Sequence, residues 1–191
     1  MKQNEMTPQE SLNIITDALK KSRGRIENNS AVPLILWGIS VSLITLLIWG
    51  IWSYTGNPQW NLLWFVLTPL VSLVQHFTID KKLEKCKGFI NDVLGYLWMT
   101  FGFFAVTIAI LGLFGFVPDI TLTILIMMGF AATVTGLVVK NHWMTCGGLL
   151  SGLGLAVALK YVEGPDVLLL LIPAAIFTLL LPGLYFKYKN R

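Results

Sequence analysis

Apolar residues run along this chain in long blocks, not in amphipathic stripes. Six blocks stand out: residues 32–54, 60–77, 93–116, 120–139, 143–162 and 167–186. A bilayer core of about 30 Å takes about 20 apolar residues in a helix, so each block predicts a membrane-spanning helix. Three of the intervening segments are tight and carry proline: Thr55-Gly56-Asn57-Pro58, Val117-Pro118-Asp119 and Gly164-Pro165-Asp166. Pairing blocks across these turns predicts three helical hairpins. The expected fold class is all-α, a polytopic integral membrane protein with six transmembrane helices.

The first 31 residues break the pattern. Thr7-Pro8-Gln9-Glu10 places a capping hydroxyl, a proline at the first helical position and a glutamate two residues further on, a signature of a helix start. Leu12, Ile15, Leu19 and Ile26 then fall on one face, which predicts an amphipathic N-terminal helix. Gly24 is expected to end or loosen it, and Asn28-Asn29-Ser30 offers caps for the first span. The chain thus divides into a cytoplasmic amphipathic helix and linker (1–31), a six-span membrane domain (32–186) and a short tail (187–191). The first span is too long for a cleavable leader.

Charge orients this arrangement. Of the 14 basic residues, 13 lie in the N-terminal segment, the loop between spans 2 and 3, the loop between spans 4 and 5, and the tail. Only Lys160 lies near the other side. Basic residues mark the cytoplasmic side, so both termini are expected in the cytoplasm, with the protein in the plasma membrane, in bacterial terms the inner membrane. Aromatic residues such as Trp49, Trp60, Trp98 and Trp143 fall near the two interfaces, where amphipathic rings are favoured.

Composition narrows the function classes. Apolar residues make up 55% of the chain and charged ones 13%, against about 25% charged in an ordinary soluble domain. A soluble enzyme is excluded. The basic residues do not cluster with aromatic platforms, so no nucleic-acid partner is expected. No Asp, Glu, Lys or Arg lies deep in any block, which argues against proton relays and voltage sensing. No nucleophile elbow, phosphate loop or paired carboxylate is visible, and neither an enzymatic activity nor a cofactor is expected.

Four features remain as candidates. The arm joins apolar Leu12, Ile15 and Leu19 to basic Lys20, Lys21, Arg23 and Arg25. It fits a docking helix for a partner, or a helix lying on anionic lipid. In span 5, Gly148 and Gly152 form a G-x-x-x-G pair that lets helix backbones approach, within one chain or between two. His76, Cys86, His142 and Cys146 all map to the cytoplasmic side and are the residue types that hold zinc, although their spacing is loose. Pro69, Pro173 and Pro182 are candidate helix breaks. With Thr68 and Thr178 they could frame a solute path between spans 2 and 6.

The order Glu10-Ser11-Leu12, Ile15-Thr16 and then Leu34-Ile35-Leu36-Trp37-Gly38 resembles a group of uncharacterised bacterial multi-span membrane proteins. They share an amphipathic N-terminal helix leading into an aliphatic-Trp-Gly motif. The resemblance covers about the first fifty residues, and implies no activity and no functional residues. The leading expectation is a non-enzymatic membrane component that docks a cytoplasmic partner or anionic lipid. The alternative is a small-solute transporter or channel built on spans 2 and 6.

Overall fold

A computed structural model describes residues 7–80 and 89–189. Among them the secondary structure is helical and no strand occurs. Six helices are long and apolar enough to cross a membrane. We label them α1 (Pro8–Thr55), α2 (Pro58–Ile79), α3 (Phe89–Leu113), α4 (Ile120–Val139), α5 (His142–Tyr161) and α6 (Gly164–Lys189). The near end of the bundle carries Lys140 and Lys189. The far end carries the turns at Gly56, Pro118 and Gly164.

α1 departs from expectation. It is one helix of 48 residues, passing Gly24, Asn28-Asn29-Ser30 and Pro33 without a break. A mid-helix glycine costs only about 1 kcal/mol relative to alanine, and the cap residues compete weakly once packing holds the segment. That packing is visible at the junction, where Glu27 and Ala31 are buried. The helix therefore crosses the expected boundary between residues 31 and 32.

The start of α1 is a complete capping box. The Thr7 hydroxyl accepts from Glu10 N–H at 3.3 Å, and Glu10 Oε2 accepts from Thr7 N–H at 2.9 Å. These bonds with Thr7, first to its backbone and then to its side chain, hold the Glu10 carboxyl below its ordinary range. A depressed carboxylate stabilises the fold above the pKa it has unfolded, and that stabilisation is lost as pH falls through its lowered folded value. Protection of the amides of residues 9–11, taken relative to their intrinsic exchange rates, should therefore fall on acidification. Glu10→Gln should flatten that response, and an unchanged acid response in this variant would show that the box is not its source.

α3 stops at Leu113, three residues short of the expected end. Gly115 takes φ 78°, and Phe116 N–H donates back to the Leu111 carbonyl at 3.0 Å. Asp119 then caps α4 by accepting from Leu122 N–H. Between α4 and α5 the connection is two residues. Lys140 adopts φ 56°, Asn141 N–H donates to the Gly136 carbonyl, and the Asn141 side chain caps α5 at Met144. So short a link makes α4 and α5 antiparallel neighbours. The most extensive packing joins α4 with α5 and α1 with α6.

Two apolar clusters form the core. At the far end Ile44, Ile48, Leu125, Met128, Leu168, Leu171 and Ala174 join α1, α4 and α6. At the near end Ala31, Leu94, Val139, Met144 and Phe186 join α1, α3, α4, α5 and α6. A layer of small residues lies between them. α2 and α3 bury little and present Leu70, Leu73, Phe77, Tyr96, Met99 and Phe103 outward. That much exposed apolar surface would drive association in water and implies a bilayer around the bundle.

Candidate functional site

The arm of α1 carries an exposed apolar stripe outside the candidate spans. Leu12 is 67% exposed, Ile15 60% and Leu19 44%. Ile14, off this stripe, is also exposed. Lys20 and Lys21 are exposed just beyond it, while the side chains of Arg23 and Arg25 lie outside the described residues. At about 1.5 Å per residue the stretch from Pro8 to Glu27 extends about 30 Å. Because it continues the helix of span 1, it extends along that helix and not flat across its end.

The base of the arm is fixed to α6. Lys189 Nζ donates to both Glu27 carboxylate oxygens, at 2.9 and 2.8 Å. Glu27 is buried, whereas the lysine side chain is half exposed and also lies 5.9 Å from the Tyr185 ring centroid. Further along, α1 and α6 meet through glycine. A Cβ on Gly38 would stand 2.9 Å from Leu180 N, and one on Gly183 3.0 Å from Ile35 N. At the far end Trp49 Nε1 donates to Asp166 Oδ1 at 2.8 Å. The stem under the arm is thus pinned by polar contacts at both ends and close backbone approach between them. These polar partners escaped the sequence reading. Glu27 sits at the edge of an apolar block, and its mate is 162 residues away, so nothing local pairs them.

The candidate glycines lie inside the bundle. Gly148 faces Thr133 and Gly129 of α4, and Gly152 faces Gly129 and Ile126 of the same helix. Gly147, one position round, faces the Phe177 carbonyl of α6, which a Cβ would approach to 2.5 Å. That carbonyl belongs to a π turn, Ile176–Leu180, in which Leu181 N–H donates to Ile176 O. The next donor in this register would be residue 182, a proline without an N–H. The carbonyl that proline cannot serve is turned against the glycine. A second π turn, Leu150–Gly154, adjoins it in α5. Neither was legible from composition, though Pro182 is the local signal for the one in α6.

The remaining candidates are scattered. His76 ends α2 in a further π turn, and His142 and Cys146 occupy the first turns of α5. Cys86 lies outside the described residues. Among the described residues no three His, Cys, Asp or Glu side chains form a group able to hold a metal. Pro69 sits within α2 and Pro173 within α6. Thr178 is fully buried and donates to the Ala174 carbonyl at 2.7 Å, while Thr68 is half-buried and its carbonyl accepts from the Ser72 hydroxyl. A cleft of about 290 Å³ opens between α1 and α2, lined by Leu36, Ser40, Leu43, Leu67, Leu70 and Val74 among others. It is apolar, and beside its near end Trp37 Nε1 donates to Gln75 Oε1 at 2.5 Å.

Comparison with protein-family models, with curated proteins and with solved structures finds no match. The functional reading therefore rests on the chain's own geometry.

Proposed function

We propose that this chain is a non-enzymatic integral membrane protein of six spans in three hairpins, with both termini in the cytoplasm and an N-terminal docking arm. The observation that carries the reading is the continuity of α1. An exposed apolar stripe at Leu12, Ile15 and Leu19 is built into the same helix as span 1, and Glu27–Lys189 ties its base to span 6. An amphipathic helix that presents leucine and isoleucine to water gains by covering them. A helix lying on the bilayer would need a bend where the arm meets span 1, and α1 runs through that junction unbroken. Lys20 and Lys21, close to the cytoplasmic end of span 1, suit anionic headgroups and hold the arm's base at the surface.

A solute path through spans 2 and 6 is the weaker reading. The hydroxyl of Thr178 is sealed and satisfied within its own helix, and the open cleft is apolar and lies between α1 and α2.

The test is a photo-crosslinking side chain placed at position 15 of the full chain in its native membrane. A discrete protein adduct, lost when Leu12→Ser and Leu19→Ser are added, is the expected result. Adducts with lipid alone would overturn the docking reading.

A further inference from the structure

We infer that the arm's partner is an acidic amphipathic helix of another cytoplasmic protein, standing beside the arm over the near end of this chain's own bundle. This rests on the docking reading above and names the partner's chemistry.

The direction of the stripe is the first ground. Along one unbroken helix, at about 100° per residue, Leu12, Ile15 and Leu19 share a sector about 60° wide with Ile44 and Ile48. Those two isoleucines are buried in the core shared with α4 and α6. The exposed side of span 1, with Val32, Ile39, Leu43 and Leu46, lies opposite. The stripe therefore faces across the end of the bundle, about 12–22 Å beyond Glu27, and not out over the bilayer. Lipid does not reach it there, and two copies with facing stripes would overlap in their bundles.

Shape is the second ground. The arm and the near end of the bundle form two sides of a corner, with the stripe as its upright side. That stripe is narrow and two helical turns long, the footprint of a helix with aliphatic residues at matching spacing. Among the described residues nothing covers Leu12, Ile15 or Leu19. Segment 81–88 has four lysines and one leucine, the wrong charge and too little apolar surface to fill the corner from within the chain.

Charge is the third, and it fixes the sign of the partner. Residues 7–31, 80–92, 140–142 and 187–191, the segments at this end, hold twelve basic and six acidic side chains. Of those carboxylates, Glu10 is engaged in the capping box and Glu27 by Lys189. Lys140 and Lys187 are exposed at the floor of the corner, and neither makes an ion pair among the described residues. Asp92, exposed in the first turn of α3, offsets one of them. A helix with carboxylates toward its membrane end meets this charge favourably, and the field steers it in; a basic helix is repelled.

Photo-crosslinking of the full chain in phosphatidylcholine nanodiscs tests this. The probes are two synthetic helices of about 18 residues with the same leucine stripe, one bearing glutamate and the other lysine at the remaining positions. From a photoreactive side chain at position 15, the acidic helix should be labelled about tenfold more than the basic one. Position 17, on the opposite side of the arm, should label neither. Leu12→Ser with Leu19→Ser should abolish the labelling, and Lys140→Gln with Lys187→Gln should weaken it about fivefold, both at unchanged content of folded protein. Equal labelling of the two helices would overturn the inference, as would none. The photo-adduct in native membranes then separates the two claims. An adduct on an acidic segment of another protein supports both. One on a neutral or basic segment, or on a second copy of this chain, ends the inference and leaves docking standing, whereas lipid adducts alone end both.

Discussion

Gly129→Ala is expected to destabilise the bundle by about 1–2 kcal/mol, while Gly152→Ala, its partner across the interface, leaves stability nearly unchanged. A Cβ on Gly129 would run into Gly152 Cα and stand 2.6 Å from Gly152 N and 2.7 Å from Gly148 O. All three are backbone atoms, so no side chain can swing away and the helices themselves must separate. Overpacking of this kind costs about 1–3 kcal/mol, offset in part by alanine's better helix propensity of about 1 kcal/mol. A Cβ on Gly152 points differently: its nearest neighbour, Gly129 Cα, would be 3.1 Å away and the next 3.6 Å. A small shift accommodates it, and the propensity gain offsets the cost. Gly148→Ala should resemble Gly129→Ala, since its Cβ would meet Thr133 N at 2.6 Å and Gly129 O at 2.8 Å.

Gly102 supplies the control. Nothing lies within 4 Å of its Cβ position, so Gly102→Ala should be neutral or slightly stabilising. Reversible unfolding of the purified protein in mixed micelles ranks the four variants. If Gly129→Ala matched Gly102→Ala, α4 and α5 would not meet through this glycine. The ranking also bears on span 5, where Gly148 and Gly152 look equivalent as a G-x-x-x-G pair. The close approach depends on Gly129 and Gly148, one from each helix.

That contrast shows why some features of this chain were legible in the sequence and others were not. Block length and hydropathy report on solvent. A run such as 120–139 can be read as a span without knowing its neighbours, because a bilayer asks only for length and apolarity. The Thr7–Glu10 cap was readable because its partners are three residues apart. Which helix packs on which is a different matter, since lipid is as apolar as leucine and hydropathy does not separate a buried face from a lipid-facing one. Leu125 and Phe130 both read as apolar, yet the first is fully buried and the second 64% exposed. The same limit hid the α1–α6 pairing, whose contacts span more than a hundred residues. The break expected at Gly24 failed for a related reason: local signals compete with tertiary burial at Glu27 and Ala31, and burial wins.

Breaking the pair at the base of the arm should be asymmetric. Lys189→Met is expected to cost about 3 kcal/mol, and Glu27→Gln about 1 kcal/mol. Glu27 is 5% exposed, so without the ammonium a carboxylate is left unpaired away from water, a loss of about 3–5 kcal/mol at buried sites. The lysine side chain is 49% exposed. Deprived of the carboxylate, it turns to water, and glutamine retains an amide oxygen to accept a hydrogen bond, so only the net worth of one charged bond is lost. With both substitutions present, no buried charge remains, and stability should return to within about 1 kcal/mol of Glu27→Gln alone. Unfolding of the four proteins in mixed micelles gives the cycle directly. Equal losses in the two single variants would mean that the Glu27 carboxylate reaches water and that the arm is not fixed at this point. The expected asymmetry would place the anchoring charge on α1, with the last turn of α6 supplying its counterion, so that removing residues 187–191 should loosen the arm as Lys189→Met does.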